Sequence, residues 1–312
     1  MSALALIGEL VLVGLAVVLL RRLASGGWRT RLTFVLKAYL TVRVMALIVF
    51  HEVEGVTVYE VLRSRLQDLD AWTFVAFTLA ATLIKLLGIG ASVTRWILML
   101  RGQGIQLPVR HIVGAFFTGR FLGTFLPSTL GLDGYKLYDA SRFSGRTVEA
   151  TAATALEKVI GVSGIFLTFL VAAPFGIQIF EENAAVVAMT AIPISVGIIG
   201  GLMTVLFFPG LIQWVLTHVP IPGKARLEGL VLRIAHAAAA YRDKKGLIVQ
   251  AFCLSFVVHF TTAAMYFFTA LAIGATQAEF WPVVFGSSIQ ILATVISPFT
   301  IAGEGIREAA QY

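Results

Sequence analysis

Charge is what this sequence has least of. Asp, Glu, Lys and Arg make up 13% of its 312 residues, where a soluble domain carries roughly 25%. Hydrophobic residues make up 58%, too many for the remaining polar surface to cover, and a water-soluble globule is excluded. Cysteine is nearly absent as well. Cys253 stands alone inside an apolar block, so no intrachain disulfide can form. Soluble-enzyme motifs are missing: no GxGxxG after a strand, no P-loop, no HExxH, no paired metal-ligand cysteines and no GxSxG. Ser128 has no histidine next to it in sequence, and aspartates are few. No catalytic residue, metal ligand or cofactor is therefore assigned. The ~10-residue alternation of a transmembrane β-barrel is lacking too.

What the sequence does have is long apolar blocks, several near the ~20 residues that cross a bilayer. Spans are expected at 3–20, 32–50, 71–93, 148–173, 184–208 and 247–273. Two shorter apolar segments, 111–126 and 282–296, end close to Pro127 and Pro298. The expected fold is thus all-α and polytopic, a single membrane domain over 1–312. The N-terminus has no basic residue before its apolar stretch and two arginines after it. It therefore reads as a retained helix with its start outside, not as a cleaved signal.

A net charge of +7 invites a nucleic-acid reading, but its distribution answers otherwise. Sixteen of the 24 Lys and Arg residues fall in segments 21–31, 95–110, 136–146 and 224–245. Segments 51–70, 174–183 and 274–281 hold only Arg63 and Arg65. By the positive-inside rule the first group is cytoplasmic, in an inner (plasma) membrane, and no nucleic-acid partner is expected. Both flanks of 111–126 are then on one side, which makes that segment re-entrant. The alternative is a full span with one loop breaking the bias. Irregular backbone at membrane depth needs protein or a water-filled cavity around it. Residues 226–242, with Leu227, Leu230, Val231, Ile234 and Tyr241 at helical spacing among arginines, form a basic amphipathic helix for the inner leaflet. Residues 58–70 are a weaker, more acidic counterpart.

The segment after Pro127 recurs after Pro298. "PSTLGLDGYK" and "PFTIAGEGIR" share Pro, Thr, a branched aliphatic, a small residue, an acid, Gly, an apolar residue and a base in order. Three expected spans separate them, so the second copy enters from the opposite side. About six spans with two re-entrant broken helices, 111–136 and 282–308, then make an inverted repeat, an arrangement that places substrate between its halves. The alternative is two surface corners. The break residues are Pro127, Ser128, Thr129, Gly131, Asp133 and Gly134 in the first copy, and Pro298, Thr300, Gly303, Glu304 and Gly305 in the second. A broken helix frees backbone donors, and a restarting N-terminus attracts an anion such as phosphate. Lys136 and Arg307 follow the two prolines at the same distance.

Cations inside apolar segments cost roughly 2.5–3.5 kcal/mol each at the bilayer centre on insertion scales, so they face protein or water. Arg43, Lys85 and Arg120 are the best anion contacts, with Lys136 and Arg307; Glu157 and Glu308 are charge partners. Lys37 and Lys158 lie nearer helix ends, where they can snorkel. His259 reads as a hydrogen-bonded interior residue.

The stretch from Gly119 to Gly161 resembles the central motif of the lysylphosphatidylglycerol synthase transmembrane-region family, flippase-like membrane proteins. The resembling positions are Gly119-Arg120, Thr124, Leu126-Pro127, Gly131-Leu132-Asp133 and Glu157-Lys158. "RWILMLRGQG" from Arg95 and the C-terminal Arg307-Glu308 are similar to family motifs too. Leu132, Lys158 and Glu304 depart from the usual glycine, arginine and apolar residue. The resemblance implies translocation of an anionic phospholipid or a lipid-linked glycan. It further implies a soluble transferase domain that this chain lacks, hence a separately encoded partner. Such proteins usually continue beyond a point equivalent to Tyr312, and a fragment is the expectation. An enzyme or enzyme partner acting on lipid-linked sugars or aminoacyl lipids, and a small-anion transporter, are the alternative functions.

Overall fold

The computed structural model describes residues 56–67, 69–125, 130–208 and 243–296, with isolated positions between 39 and 53 and between 210 and 241. The expected spans at 3–20 and most of 32–50 lie outside the described residues. So do most of the amphipathic stretch at 226–242, Pro127, Ser128 and Thr129, and everything from residue 297 onward.

Among the described residues the fold is helical apart from one small hairpin of β1 (Glu52–Val53) and β2 (Val56–Thr57). Helix α1 (Val58–Gln67) follows at once, the expected short polar helix. Helix α2 (Ala71–Gly102) is the longest. Asp70 caps its start, with its carboxylate accepting from the Thr73 backbone N–H and hydroxyl at 2.7 Å. Its end is a Schellman turn: Gly104 is left-handed at φ 75°, its N–H bonds the Arg101 carbonyl, and the Ile105 N–H bonds the Leu100 carbonyl. Pro108 then bars continuation. The expected span ended at residue 93, whereas the helix runs on to Gly102. The distribution of charge places Arg95 among the loop cations, but it lies inside the helix with its guanidinium paired, so nothing forces the helix to stop there.

Helices α3 (Val109–Phe125) and α4 (Leu130–Ser144) form an antiparallel pair. Helix α5 (Thr147–Gly176), a 3-10 turn at Ile177–Asn183 and α6 (Ala184–Phe207) make a second helix pair. Glu181 takes φ 47° within that turn. Helices α7 (Lys245–Ala272) and α8 (Phe280–Ile296) complete the described chain. Among the described residues three stretches are long and apolar enough to cross a membrane: Ala71–Gly102, Thr147–Thr204, which the 3-10 turn divides, and Lys245–Ala272.

Large apolar side chains point outward along these helices, Leu79, Leu83 and Leu87 on α2 and Val186, Met189 and Ile194 on α6 among them. A water-soluble fold would bury such rows; hydrocarbon is their solvent here. Inside, one cluster gathers Trp96, Met99, Leu156, Ile160, Tyr241 and Ile248. A second joins Phe169, Ala172, Val284 and Phe285, where Phe175 stacks on Trp281 at 4.6 Å.

The two ends of the bundle carry opposite charge. Lys244 donates to the Gly102 carbonyl and Arg146 to the Gly104 carbonyl, so the end of α2 and the starts of α5 and α7 meet. Arg101, Arg110, Arg142 and Lys245 lie in the same end segments. Asp70, Glu181, Glu182 and Glu279 belong to the other. Helix α3 starts from the basic end and α8 from the acidic end, each 17 residues long.

Candidate functional site

The α3–α4 pair is held by glycine. Gly119 faces Leu132 and Tyr135, and Gly123 faces Gly131 and Leu132. A methyl group at Gly131 would fall 2.4 Å from the Gly123 Cα, so only glycine lets the two backbones approach this closely. At the base, His111 Nε2 lies 2.8 Å from Asp139 Oδ2, and its ring is 4.2 Å from that of Phe143. The start of α3 is therefore beside the end of α4, and both lie at the basic end. Seventeen residues rise about 25 Å, short of the ~30 Å hydrocarbon core.

The inner face of this hairpin meets the bundle through buried charge. Lys136 of α4 donates to Glu157 Oε2 of α5 at 2.5 Å. The other carboxylate oxygen, Oε1, accepts from Arg95 Nη2 at 3.2 Å and Nε at 3.4 Å. Arg95 Nη1 donates to Ser255 Oγ of α7 at 2.6 Å. The relative exposures of Lys136, Glu157, Arg95 and Ser255 are 2, 3, 9 and 0%. Glu157 stands about ten residues into α5, roughly 15 Å from its basic end at 1.5 Å per residue. Three ionisable groups at that depth are sustainable because each faces a partner of opposite charge type or a hydroxyl. The Lys136 ammonium also lies over the Trp96 ring, 4.5 Å from its centroid, an arrangement that stabilises a desolvated cation.

Towards the surface the network continues. Asp133, in the first turn of α4, is 3.8 Å from Lys136 and 2.9 Å from the half-exposed Lys158. Close packing fixes the far side: a methyl at Gly164 would meet Ser255 at 2.6 Å, which holds α5 against α7. One turn beyond Ser255, His259 is half-buried on the same helix.

Of the sequence-expected residues, Lys136, Asp133 and Glu157 thus come together, and Gly131 is the contact that closes the hairpin. Gly134 is exposed with open space around it. Lys85 lies elsewhere, donating to Thr262 of α7 at 3.2 Å, about three helical turns from Arg95 along α2. Arg120 is exposed on α3, and Arg43 is half-buried in a helical segment. The second motif, Pro298, Thr300, Gly303, Glu304, Gly305, Arg307 and Glu308, lies outside the described residues. Arg95, Trp96 and Ser255 were missed. The signal for Arg95 is the run "WILML" after it, which marks the arginine as interior to an apolar segment. Ser255 carries no such mark. Among the described residues no group of three or more His, Cys, Asp and Glu side chains could hold a metal ion.

A helical bundle with lipid-facing apolar surfaces and a buried ionic network defines an integral membrane protein. The family described as the lysylphosphatidylglycerol synthase TM region matches residues 34–312, and the chain belongs to it. No curated protein and no solved structure matches the chain. The family places the protein in membrane lipid metabolism or transport.

Proposed function

We propose that this chain is a flippase-like protein of the plasma membrane that moves a charged lipid, an anionic phospholipid or a lipid-linked glycan, between leaflets. The observation that carries the reading is the buried cluster of two cations around one carboxylate where the α3–α4 hairpin meets the bundle. An interior with surplus positive charge suits a headgroup phosphate. In this reading the basic end is cytoplasmic, the helices traverse the membrane several times, and α3–α4 is a re-entrant element. Its length and the shared location of its two ends support that. Helix α8, of equal length and starting from the acidic end, is the inward arm of an inverted counterpart whose break is at Pro298. Lys136 and Arg307 occupy corresponding places, Arg120, Lys85 and Arg43 line the path, and Glu157 and Glu308 hold the cations.

The chain performs no catalysis in this proposal and works beside a separately encoded transferase. Reconstituted protein should raise the transbilayer movement of fluorescent phosphatidylglycerol in liposomes above that of protein-free vesicles. Unchanged movement, in liposomes where an active relative moves the lipid, would overturn the proposal. Product formation from lipid-linked sugars in detergent, where no leaflets exist, would replace it with an enzymatic role.

A further inference from the structure

Two cations share one carboxylate in the buried cluster, and the sharing is divided by oxygen. Glu157 Oε2 serves Lys136 and Oε1 serves Arg95. We infer that Arg95 is a positioning residue that makes Lys136 exchangeable: it keeps Glu157 paired when Lys136 turns from that carboxylate to an incoming phosphate group. The inference rests on the anionic-ligand reading above and names how that site admits its ligand.

The argument is one of charge balance. In an isolated Lys–Glu pair, removing the lysine strands a buried carboxylate, which is strongly unfavourable. Here the carboxylate retains a guanidinium, and that guanidinium is itself anchored by Ser255 and lies beside Gly161. Arg95 therefore stays in place. Lys136 has other supports: Asp133 one turn before it and the ring faces of Trp96 and Phe116. Asp133 is partly exposed and paired with the outermost lysine, Lys158. A singly charged phosphodiester arriving past Lys158 could take Lys136 from Glu157 and leave no buried charge single. A lipid headgroup and a soluble phosphate ester share that chemistry.

Hydrogen exchange of α4, residues 130–144, reads the exchange of partners directly. The full chain is compared in nanodiscs of phosphatidylcholine, in nanodiscs containing phosphatidylglycerol, and in phosphatidylcholine nanodiscs with added glycerophosphoglycerol, the soluble phosphodiester of the same headgroup. In the wild type phosphatidylglycerol should speed α4 exchange as Lys136 leaves Glu157. Arg95→Met confines Glu157 to Lys136, so α4 should exchange about tenfold more slowly and lose its response, a coupling typical of residues in one network. Arg95→Lys should restore the response. Ser255→Ala, which loosens Arg95 without removing its charge, should shift exchange in the same direction by less, and it decides the matter if Arg95→Met does not fold.

Faster α4 exchange in Arg95→Met or Ser255→Ala, as loss of a merely structural tie would give, overturns the inference. Arg95→Met, or Ser255→Ala in its place, keeping the full lipid response also overturns it while leaving the anionic-ligand reading intact. A wild type unresponsive to either phosphate source overturns that reading, and with it the exchange. A response to glycerophosphoglycerol alone supports the exchange and makes the ligand a soluble ester.

Discussion

Lys136 and Glu157, 21 residues apart in sequence, meet at 2.5 Å with side chains 2 and 4% exposed. The pair joins the hairpin to the bundle, and its third member makes it asymmetric. Glu157→Gln leaves Lys136 and Arg95 buried side by side without their anion. Lys136→Met leaves the Arg95–Glu157 pair intact and adds an apolar side chain against Trp96. Breaking a buried pair costs about 3–5 kcal/mol, so Glu157→Gln should show that full loss in detergent unfolding and Lys136→Met distinctly less. Equal losses would mean that Arg95 contributes nothing to Glu157.

The hairpin's base makes a topological prediction. Arg146 reaches the Gly104 carbonyl at 3.0 Å, tying the loop before α3 to the one after α4. With Cys253 replaced, cysteines at Arg101 and Arg142, both exposed, should react with a membrane-impermeant thiol reagent from the same side. Reaction from opposite sides would make α3 a span and remove the inverted repeat.

Glycine packing predicts a steric effect. Gly131→Val places a branched side chain against the Gly123 backbone, where a Cβ alone would be 2.4 Å from the Cα. Overpacking of this kind costs about 1–3 kcal/mol, and a lowered melting temperature checks it. Gly134→Ala, three residues on and facing open space, should instead raise the melting temperature slightly, because Ala is favoured over Gly in a helix interior by about 0.5–1 kcal/mol.

Asp70 supplies a pH dependence outside the spanning helices. The Thr73 hydroxyl and backbone N–H hold its carboxyl below the usual 3.8. The unfolded chain lacks these bonds, so the stabilisation is fully present above the ordinary carboxylate range and is lost as pH falls through the depressed value. Asp70→Asn keeps an acceptor at the cap but does not titrate. Melting temperatures of the wild type and the variant should therefore converge on acidification. A gap that stays constant with pH would remove Asp70 ionisation as its cause.

By itself the sequence determined the class. Scarce charge and long apolar runs leave a membrane as the only adequate solvent, and 148–173, 184–208 and 247–273 each match a helix to within a few residues because hydropathy and length settle a span locally. It also marked Asp133 and Lys136 through the motif that follows Pro127, and Glu157 as a charge partner for cations. Tertiary structure decided which partner. Arg95 looked like a loop cation because apolar density falls at Thr94-Arg95, and only packing of α2 against α5 and α7 brings Glu157 and Ser255 to it. Ser255 is one small hydroxyl among many, invisible until Gly164 lets α5 close on it. Local periodicity fixes helices, but charge pairing between helices depends on which faces meet, and that is a property of the assembled bundle.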